Sequence, residues 1–596
     1  MYVVATAGHV DHGKSSLVKA LTGMEPDRWE EEKRRGLTID LGFVWTKLDS
    51  GADVAFVDVP GHEKFLGNML AGVGPAPVVL FVVAADEGWQ AQSTDHRDAL
   101  RAVGIEHGVV ALSRADRADA ARRAEVAAQV KAELAGTALA DAPIVDVSAK
   151  TGEGVGTLRT ELDQVLAAMP APDPQARVRL WVDRAFSVKG AGTVVTGTLA
   201  AGTVSVGDEL ELGRQLVTVR GVHSENKSVD SAGPVTRVAL NLRGVAADQV
   251  HRGDALLSPG GWRALETVDI RRTFGTEMAE LPQNLVVHIG TAGVGARLRP
   301  LGGEFARLTL ESPLSLTLLD RFVVRSPGGR HVAAGFEVVD MHPAALSRRG
   351  AAKKRAAELE ALEPTNPSEW LKRCGYASRD DLLRDGFSVE EKPAGVIVFR
   401  EWWIAARQVT AWKNALVEAV ETHAAANPLS PGLTKAAAMD TLNLSEPALL
   451  GLAVAAAKLE SVDGVLRVPG KTVDLGPAEK AVAELEQRLR AEPFAAPEAE
   501  DLKELGLGPK ELAAADRAGR LLRLAKGVVL LPSAPRAAFD VVAQLEQPFT
   551  LSAARQALAT TRRVAIPLLE HLDATGATHL VEGKRFVCGP GKRAPK

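Results

Sequence analysis

The first 170 residues alternate between short apolar runs and amphipathic stretches. "YVVATA" (2–7), "VAFVDV" (54–59), "VVLFVVAA" (78–85), "VVALS" (109–113) and "IVDVS" (144–148) are apolar at nearly every position, as strands covered on both faces require. Helix-period segments such as "SLVKALTG" (16–23) lie between them. The alternation predicts a doubly wound α/β domain over 1–172. From 176 the period becomes two. "TVVTGTL" (193–199), "GDELEL" (207–212), "LVTVRGVHS" (216–224), "TRVALNL" (236–242) and "GDALL" (253–257) are broken by glycines, with no long helical period before about 344. Turn signals at this spacing predict two β-barrels, over 176–260 and 261–342. A basic, Ala-rich stretch, "SRRGAAKKRAAELEALEP" (347–364), then predicts a helical linker. Beyond it an apolar helix is followed by a Gly-led β run four times: "GVIVF" at 395, "GVLRV" at 464, "GVVLL" at 527 and "GKRFV" at 583. Three helices closed by a small β-wing have about this length. The mainly α remainder therefore reads as tandem winged helices over 343–402 (with the linker helix), 403–472, 473–534 and 535–596.

Length and composition agree with several domains: 596 residues, 46% hydrophobic and 24% charged. The longest apolar run, 78–85, is far too short to span a membrane. The segment 2–7 has no basic flank before it and reads as a strand, not a leader. Two distant cysteines, Cys374 and Cys588, fit neither a disulfide framework nor a metal site and point to a reducing, cytoplasmic setting. The formal charge is −4, so any nucleic-acid contact needs a local basic face. Nothing signals self-association, and a monomer is expected.

The candidate chemistry begins with "GHVDHGKS" (8–15), which fits G-x-x-x-x-G-K-[ST] between a strand and a helix. Such a loop aims backbone N–H groups at phosphates, and the helix N-terminus adds positive potential. Gly8, Asp11, His12, Gly13, Lys14, Ser15 and Ser16 are the expected phosphate contacts, with Lys14 reaching the β- and γ-phosphates and Ser15 a Mg²⁺ ion. "VDVPGH" (57–62) ends a strand in Asp-x-x-Gly. Asp58 suits the metal, Gly61 lets the backbone approach the γ-phosphate, and His62 follows where it can position an attacking water. "RRGLTID" (34–40) supplies Thr38, whose hydroxyl suits a metal contact made only with a triphosphate bound. Strand ends at "SRAD" (113–116) and "SAK" (148–150) complete a base pocket of Ser113, Arg114, Asp116, Ser148, Ala149 and Lys150. Asp116 accepts from the two donors on guanine, which adenine lacks there. The expected substrate is GTP and the cofactor Mg²⁺. The usual GTPase pattern at the first strand end is Asn-Lys-x-Asp. With Ser113 the amide that normally braces the pocket is lost, and Arg114 can lay its stem over the base.

Together these motifs resemble the translational GTPases. "VDRAFSVKGAGTVVTGTL" (182–199), "RVALNL" (237–242) and the Ser-x-x-Asp variant at 113–116 are most similar to the bacterial selenocysteine-specific elongation factors. The resemblance implies a P-loop GTPase domain, two barrels holding the acceptor arm of tRNA, and delivery of selenocysteinyl-tRNA to the ribosome at UGA codons marked by an mRNA hairpin, SECIS. Carried over position by position, it implies a selenocysteinyl pocket of Asp183, Arg184 and Arg237. It also implies an apolar gate of Val10 and Leu37 before His62, with hydrolysis triggered by the ribosome. A selenol is ionised at neutral pH and a serine hydroxyl is not, so two guanidiniums and an orienting carboxylate would discriminate on charge.

The last winged helix is where a basic face is expected. Residues 535–596 carry nine cations against five anions, +4, whereas the start of 473–534 is acid-rich and reads as a spacer. Arg562 and Arg563 are expected in the first turn of the final helix, after a Thr-Thr cap region. Lys584 and Arg585 are expected on the wing, the two clusters together clamping the hairpin. Two rival readings follow from the same residues. One is a general elongation or initiation GTPase carrying another tRNA, with a protein-binding arm. The other is a nucleotide-gated, winged-helix DNA-binding regulator.

Overall fold

The computed structural model describes residues 2–26, 38, 40–62, 66–74, 76–190, 192–329, 331–427, 430, 432–462, 464–469 and 475–587. Leu37 lies outside them. The chain divides into two compact units, the first being 1–394 with 398–403 and the second 395–397 with 404–596.

The first unit opens with a six-stranded sheet. Its strands are β1 (Tyr2–Ala7), β2 (Gly42–Lys47), β3 (Asp53–Asp58), β4 (Val78–Ala84), β5 (His107–Ser113) and β6 (Ile144–Asp146), in the order β2-β3-β1-β4-β5-β6. All neighbours are parallel except β2 and β3. Every residue of β4 is buried, which is why its sequence shows no alternation. Helices α1 (Lys14–Thr22), α2 (Leu66–Val73), α3 (Ala91–Val103), α4 (Ala120–Leu134) and α5 (Val155–Ala167) cover the sheet. Two separate apolar clusters form its two faces, one around Met69, Phe81 and Leu100, the other around Leu17, Phe56 and Leu158. The strand order reverses at β1, so the loop after it opens at the carboxyl end of the sheet, where ligands of such folds bind.

Two barrels follow. In the first, strands Glu209–Leu212, Ala255–Leu257, Arg179–Val188, Gly192–Leu199, Thr236–Arg243 and Gln215–Ser224 pair in that order, and the last pairs back on the first. Alternate residues of Thr236–Arg243 are buried, the period-two pattern of a filled barrel. The second is a closed six-stranded barrel, Arg263–Gly275, Phe305–Leu316, Ala292–Gly302, Asn284–Ile289, Arg321–Arg325 and Ala334–Asp340. The basic stretch after it forms helix Ala351–Glu360. Arg355 of that helix is buried, its Nε 2.8 Å from Asp269 on the barrel, while Ala356 and Leu359 pack on Leu301 and Phe305. Part of the basic stretch is therefore barrel contact.

In the second unit one arrangement of helices and hairpin recurs. Helices Ala406–Ala426, Lys435–Leu442 and Pro447–Ala457 precede hairpin strands Glu460–Val462 and Val465–Arg467. Glu479–Ala491, Ala499–Glu504 and Pro509–Arg517 precede Leu522–Arg523 and Val529–Leu530. Ala534–Val542, Leu551–Ala557 and Arg562–Ala574 precede Thr578–Val581 and Lys584–Val587. The recurring glycines have a physical cause: Gly395, Gly464, Gly527 and Gly583 have φ of 77°, 81°, 72° and 80°, a left-handed turn just before a strand, which in the last three is the returning strand of the hairpin. Among the described residues no helix is long and apolar enough to cross a membrane.

Candidate functional site

The phosphate loop leaves β1 through a series of left-handed residues, Gly8, Asp11 and Gly13 (φ 126°, 63° and 81°), and enters α1 at Lys14. It borders a cavity of about 900 Å³. The lining includes Val10, Asp11, Gly13, Lys14, Ser15 and Ser16 from the loop, Thr38 and Gly61, and the base-pocket residues Ser113, Arg114, Asp116, Ser148, Ala149 and Lys150. Gly8 and His12 belong to the loop but do not line the cavity; His12 is fully buried. Gly61 packs so close that a Cβ there would lie 2.5 Å from Lys14 Nζ and 2.6 Å from the Val10 nitrogen. Only glycine fits.

Lys14 is buried, and its ammonium donates to the carbonyls of Gly8 (3.0 Å) and His9 (2.8 Å). Burial pulls its pKa down to about 8, with Asp58 and Asp11 opposing. A phosphate would supply the missing counter-charge. Ser15 Oγ donates to Asp58 Oδ2 at 2.6 Å and lies 3.0 Å from Thr38 Oγ1. Two hydroxyls and a carboxylate meeting at one point form an all-oxygen set that suits a hard cation such as Mg²⁺. His62 follows Gly61 directly and is half-buried.

The base end differs from expectation in one respect. Ser113 is buried and its hydroxyl donates to the carbonyl of His12 at 2.6 Å, so a link from β5 to the phosphate loop is made without the amide. Ser148 Oγ donates to Asp116 Oδ1 at 2.7 Å, and this bond holds the Asp116 carboxyl below the usual range. Arg114 adopts a left-handed backbone (φ 55°) and its guanidinium is tied to the Asp11 carbonyl and, at 2.5 Å, to Glu87. With its guanidinium anchored there, the Arg114 side chain borders the cavity.

Several supporting residues were not legible in the sequence. Thr6 Oγ1 donates to Asp58 Oδ1 at 2.8 Å and accepts from the Val59 nitrogen at 3.0 Å. From α3, Gln92 accepts from the Val10 nitrogen (3.0 Å) and His96 Nδ1 from the Gly8 nitrogen (3.1 Å). Accepting there requires neutral His96, in keeping with burial that drives its pKa well below normal. His12 is likewise pushed down to about 3 by burial; the nearest carboxylate, Glu87, is 3.6 Å from its Nε2, beyond hydrogen-bond reach. The only sequence signal for Gln92 and His96 is a polar residue on the inner face of a helix, and no spacing rule ties either to a loop some 80 positions earlier.

A second cavity, about 220 Å³, lies between β2 and the first barrel and is lined by Phe43, Arg184, Thr196, His223 and Arg237 among others. Asp183 is buried; Arg237 pairs with both its oxygens, one bond measuring 2.9 Å, and Thr196 donates to it at 2.5 Å. The Arg237 guanidinium lies 3.8 Å from the centre of the Phe43 ring, and that of Arg184 5.8 Å from it. The three pocket residues are thus together, on strands Arg179–Val188 and Thr236–Arg243.

The basic residues of the last winged helix divide. Arg562 is exposed at the first position of its helix, after Thr561, whose side chain makes no capping bond. Lys584 is exposed on the wing. Arg563 instead donates to the carbonyls of Ala496 (2.8 Å) and Pro497 (3.0 Å) and pairs with Glu498 at 3.1 Å. Arg585 is 9% exposed and its Nε bonds Asp573 at 2.9 Å. Contrary to expectation, Arg585 is thus buried in the fold and not presented on its surface, whereas Arg563 stays partly exposed with its guanidinium engaged by residues 496–498, because carboxylates and carbonyls on adjoining elements reach both.

Family models match four stretches: the elongation factor Tu GTP binding domain at 1–168, elongation factor Tu domain 2 at 192–257, the selenocysteine-specific elongation factor β-barrel domain at 273–345, and the elongation factor SelB winged helix at 540–587. The chain is 41% identical over 350 residues to the selenocysteine-specific elongation factor of Escherichia coli, covering 58% of this chain and 56% of that one. The match thus spans about half the length of that relative. With the protein of the same name from Desulfomicrobium baculatum it shares 30% identity over 640 residues, covering 98% of this chain and 99% of the other. Among solved structures, a bacterial selenocysteine-specific elongation factor EF-Sec superposes with a TM-score of 0.78 at 25% identity, over 99% of this chain and 100% of that one.

Proposed function

Because the chain belongs to the selenocysteine-specific elongation factors and its first domain is a translational GTPase domain, we propose that it delivers selenocysteinyl-tRNA to the ribosome at SECIS-marked UGA codons, in a cycle of GTP binding and hydrolysis. The carrying observation is that Arg184 and Arg237, the latter paired with Asp183, lie against Phe43 in the same compact unit as the nucleotide cavity. A pocket with two guanidiniums and one orienting carboxylate favours an anionic selenolate over a neutral serine hydroxyl.

Each step belongs to particular side chains. Asp116, kept ionised by Ser148, accepts from the guanine edge. Lys14 turns its ammonium from two backbone carbonyls to the phosphate oxygens. Ser15, Thr38 and Asp58 would hold Mg²⁺, which when bound would neutralise charge developing on phosphate oxygens. His62 orients the attacking water once the ribosome has moved it into place. Arg562 and Lys584 contact the hairpin backbone, raising the factor's local concentration at one codon.

The test is protection of the aminoacyl ester. With GTP bound, the protein should slow hydrolysis of selenocysteinyl-tRNA roughly tenfold more than that of seryl-tRNA on the same tRNA body. Equal protection would remove the selenocysteine assignment and leave a GTPase carrying another tRNA.

A further inference from the structure

Arg184 reaches across from the barrel to the nucleotide domain. Its Nη2 lies 2.8 Å from Asp40 Oδ2 and donates to the Leu41 carbonyl at 2.9 Å. Asp40 is two positions after Thr38, whose hydroxyl stands 3.0 Å from Ser15 Oγ at the metal site. Three positions further on, Phe43 lies against the Arg237 guanidinium. Six positions of sequence thus touch the phosphate–metal site at one end and both pocket arginines at the other.

The two arginines are held differently. Arg237 is anchored by Asp183, and Asp183 is fixed in turn by Thr196, all within the barrel. Arg184 is held by a carboxylate of the other domain, next to the one residue expected to contact the metal only with a triphosphate bound. Asp40 is tethered within about 7 Å of Thr38 along the chain, so a displacement of Thr38 pulls on Asp40. Asp40 and Leu41 both engage Nη2, and a guanidinium carries further donors with which to meet an anion.

We propose that Asp40 is a positioning residue that couples nucleotide state to cargo affinity: with Thr38 drawn to the metal site, Asp40 orients Arg184 in the selenocysteinyl pocket, and when Thr38 withdraws Arg184 loses that orientation. The proposal rests on the reading of Thr38 and of the pocket given above. It makes the preference for an anionic aminoacyl group depend on GTP through one named ion pair.

The experiment measures affinity of the full chain for selenocysteinyl-tRNA and seryl-tRNA, each with a non-hydrolysable GTP analogue and with GDP, for wild type, Asp40→Asn, Asp40→Glu and Arg184→Met. Asp40→Asn should lose on the order of tenfold for selenocysteinyl-tRNA in the triphosphate state, with little change in the GDP state or for seryl-tRNA. Asp40→Glu should recover part of the loss. An unchanged or increased triphosphate-state affinity in Asp40→Asn would overturn the proposal, as would an equal loss for seryl-tRNA, which would mark a general defect. Arg184→Met separates the levels. If it abolishes the preference over seryl-tRNA while Asp40→Asn behaves as wild type, the pocket stands and the coupling falls. If Arg184→Met keeps the preference, the pocket reading falls and the coupling with it.

Discussion

The nucleotide domain and the last winged helix were both read from short runs of polar and charged residues, yet the structure treats those runs differently. At the nucleotide site, most of the phosphate loop, Thr38, Gly61 and residues of both strand ends at 113–116 and 148–150 border one cavity. In the last winged helix, Arg562 and Lys584 face solvent, Arg563 is half-buried with its guanidinium bonded to residues 496–498, and Arg585 is buried against Asp573. A phosphate loop is specified mainly by its backbone: left-handed residues at 8, 11 and 13 and a strand-to-helix junction leave its N–H groups little choice of direction. A count of arginines carries no direction. A long cation bonds the nearest acceptor its stem can reach, and in a small domain that acceptor is often its own.

The sharpest challenge to this contrast is His62→Ala. Ribosome-stimulated hydrolysis should fall by roughly 10²–10⁴-fold while GTP affinity is kept, as stopped-flow phosphate release and equilibrium titration would measure; unaltered turnover would take His62 out of the mechanism. Next in size is Arg585→Met. It strands Asp573, which otherwise accepts from both Arg585 and Thr578, and should destabilise this domain by roughly 2 kcal/mol in chemical denaturation. Full retention of stability would return Arg585 to the surface set. At the nucleotide site the expected effect is set by Lys14. Its ammonium is needed by phosphate, and in the free protein its pKa is about 8. Affinity should therefore be level below pH 8 and fall as pH rises above it, by about tenfold at pH 9, with proton uptake on binding seen by calorimetry in buffers of different ionisation heat. A flat profile would mean that Lys14 keeps its proton without the nucleotide. The smallest effect belongs to Arg562→Met: no change in stability, a severalfold loss of RNA-hairpin affinity, and a salt slope reduced by about 1. Loss of stability there instead would erase the contrast between Arg562 and its neighbour Arg563.

Much of the architecture was legible from period alone, because burial on two faces, on one face and on a helical stripe leave different spacings. Uninterrupted apolar runs marked the parallel strands, alternation marked the barrels, and recurring glycines marked turns that need a positive φ. The substitution at 113 was also legible, but not its consequence. Losing an amide predicted a weaker brace, whereas the buried serine hydroxyl makes its own bond to the His12 carbonyl.

By itself the sequence singled out motifs that the fold brings to the border of one cavity, because their members lie at strand ends of one sheet. Only tertiary structure decided that Gln92 and His96 would hold the phosphate loop from behind, that Arg355 of a basic linker would be buried on a barrel, and that Arg184 would be held by Asp40. Each of these is a pairing between elements distant in the chain. A side chain's partner is set by which charges and dipoles folding brings within about 3 Å of it, and that distance is not written in any local pattern.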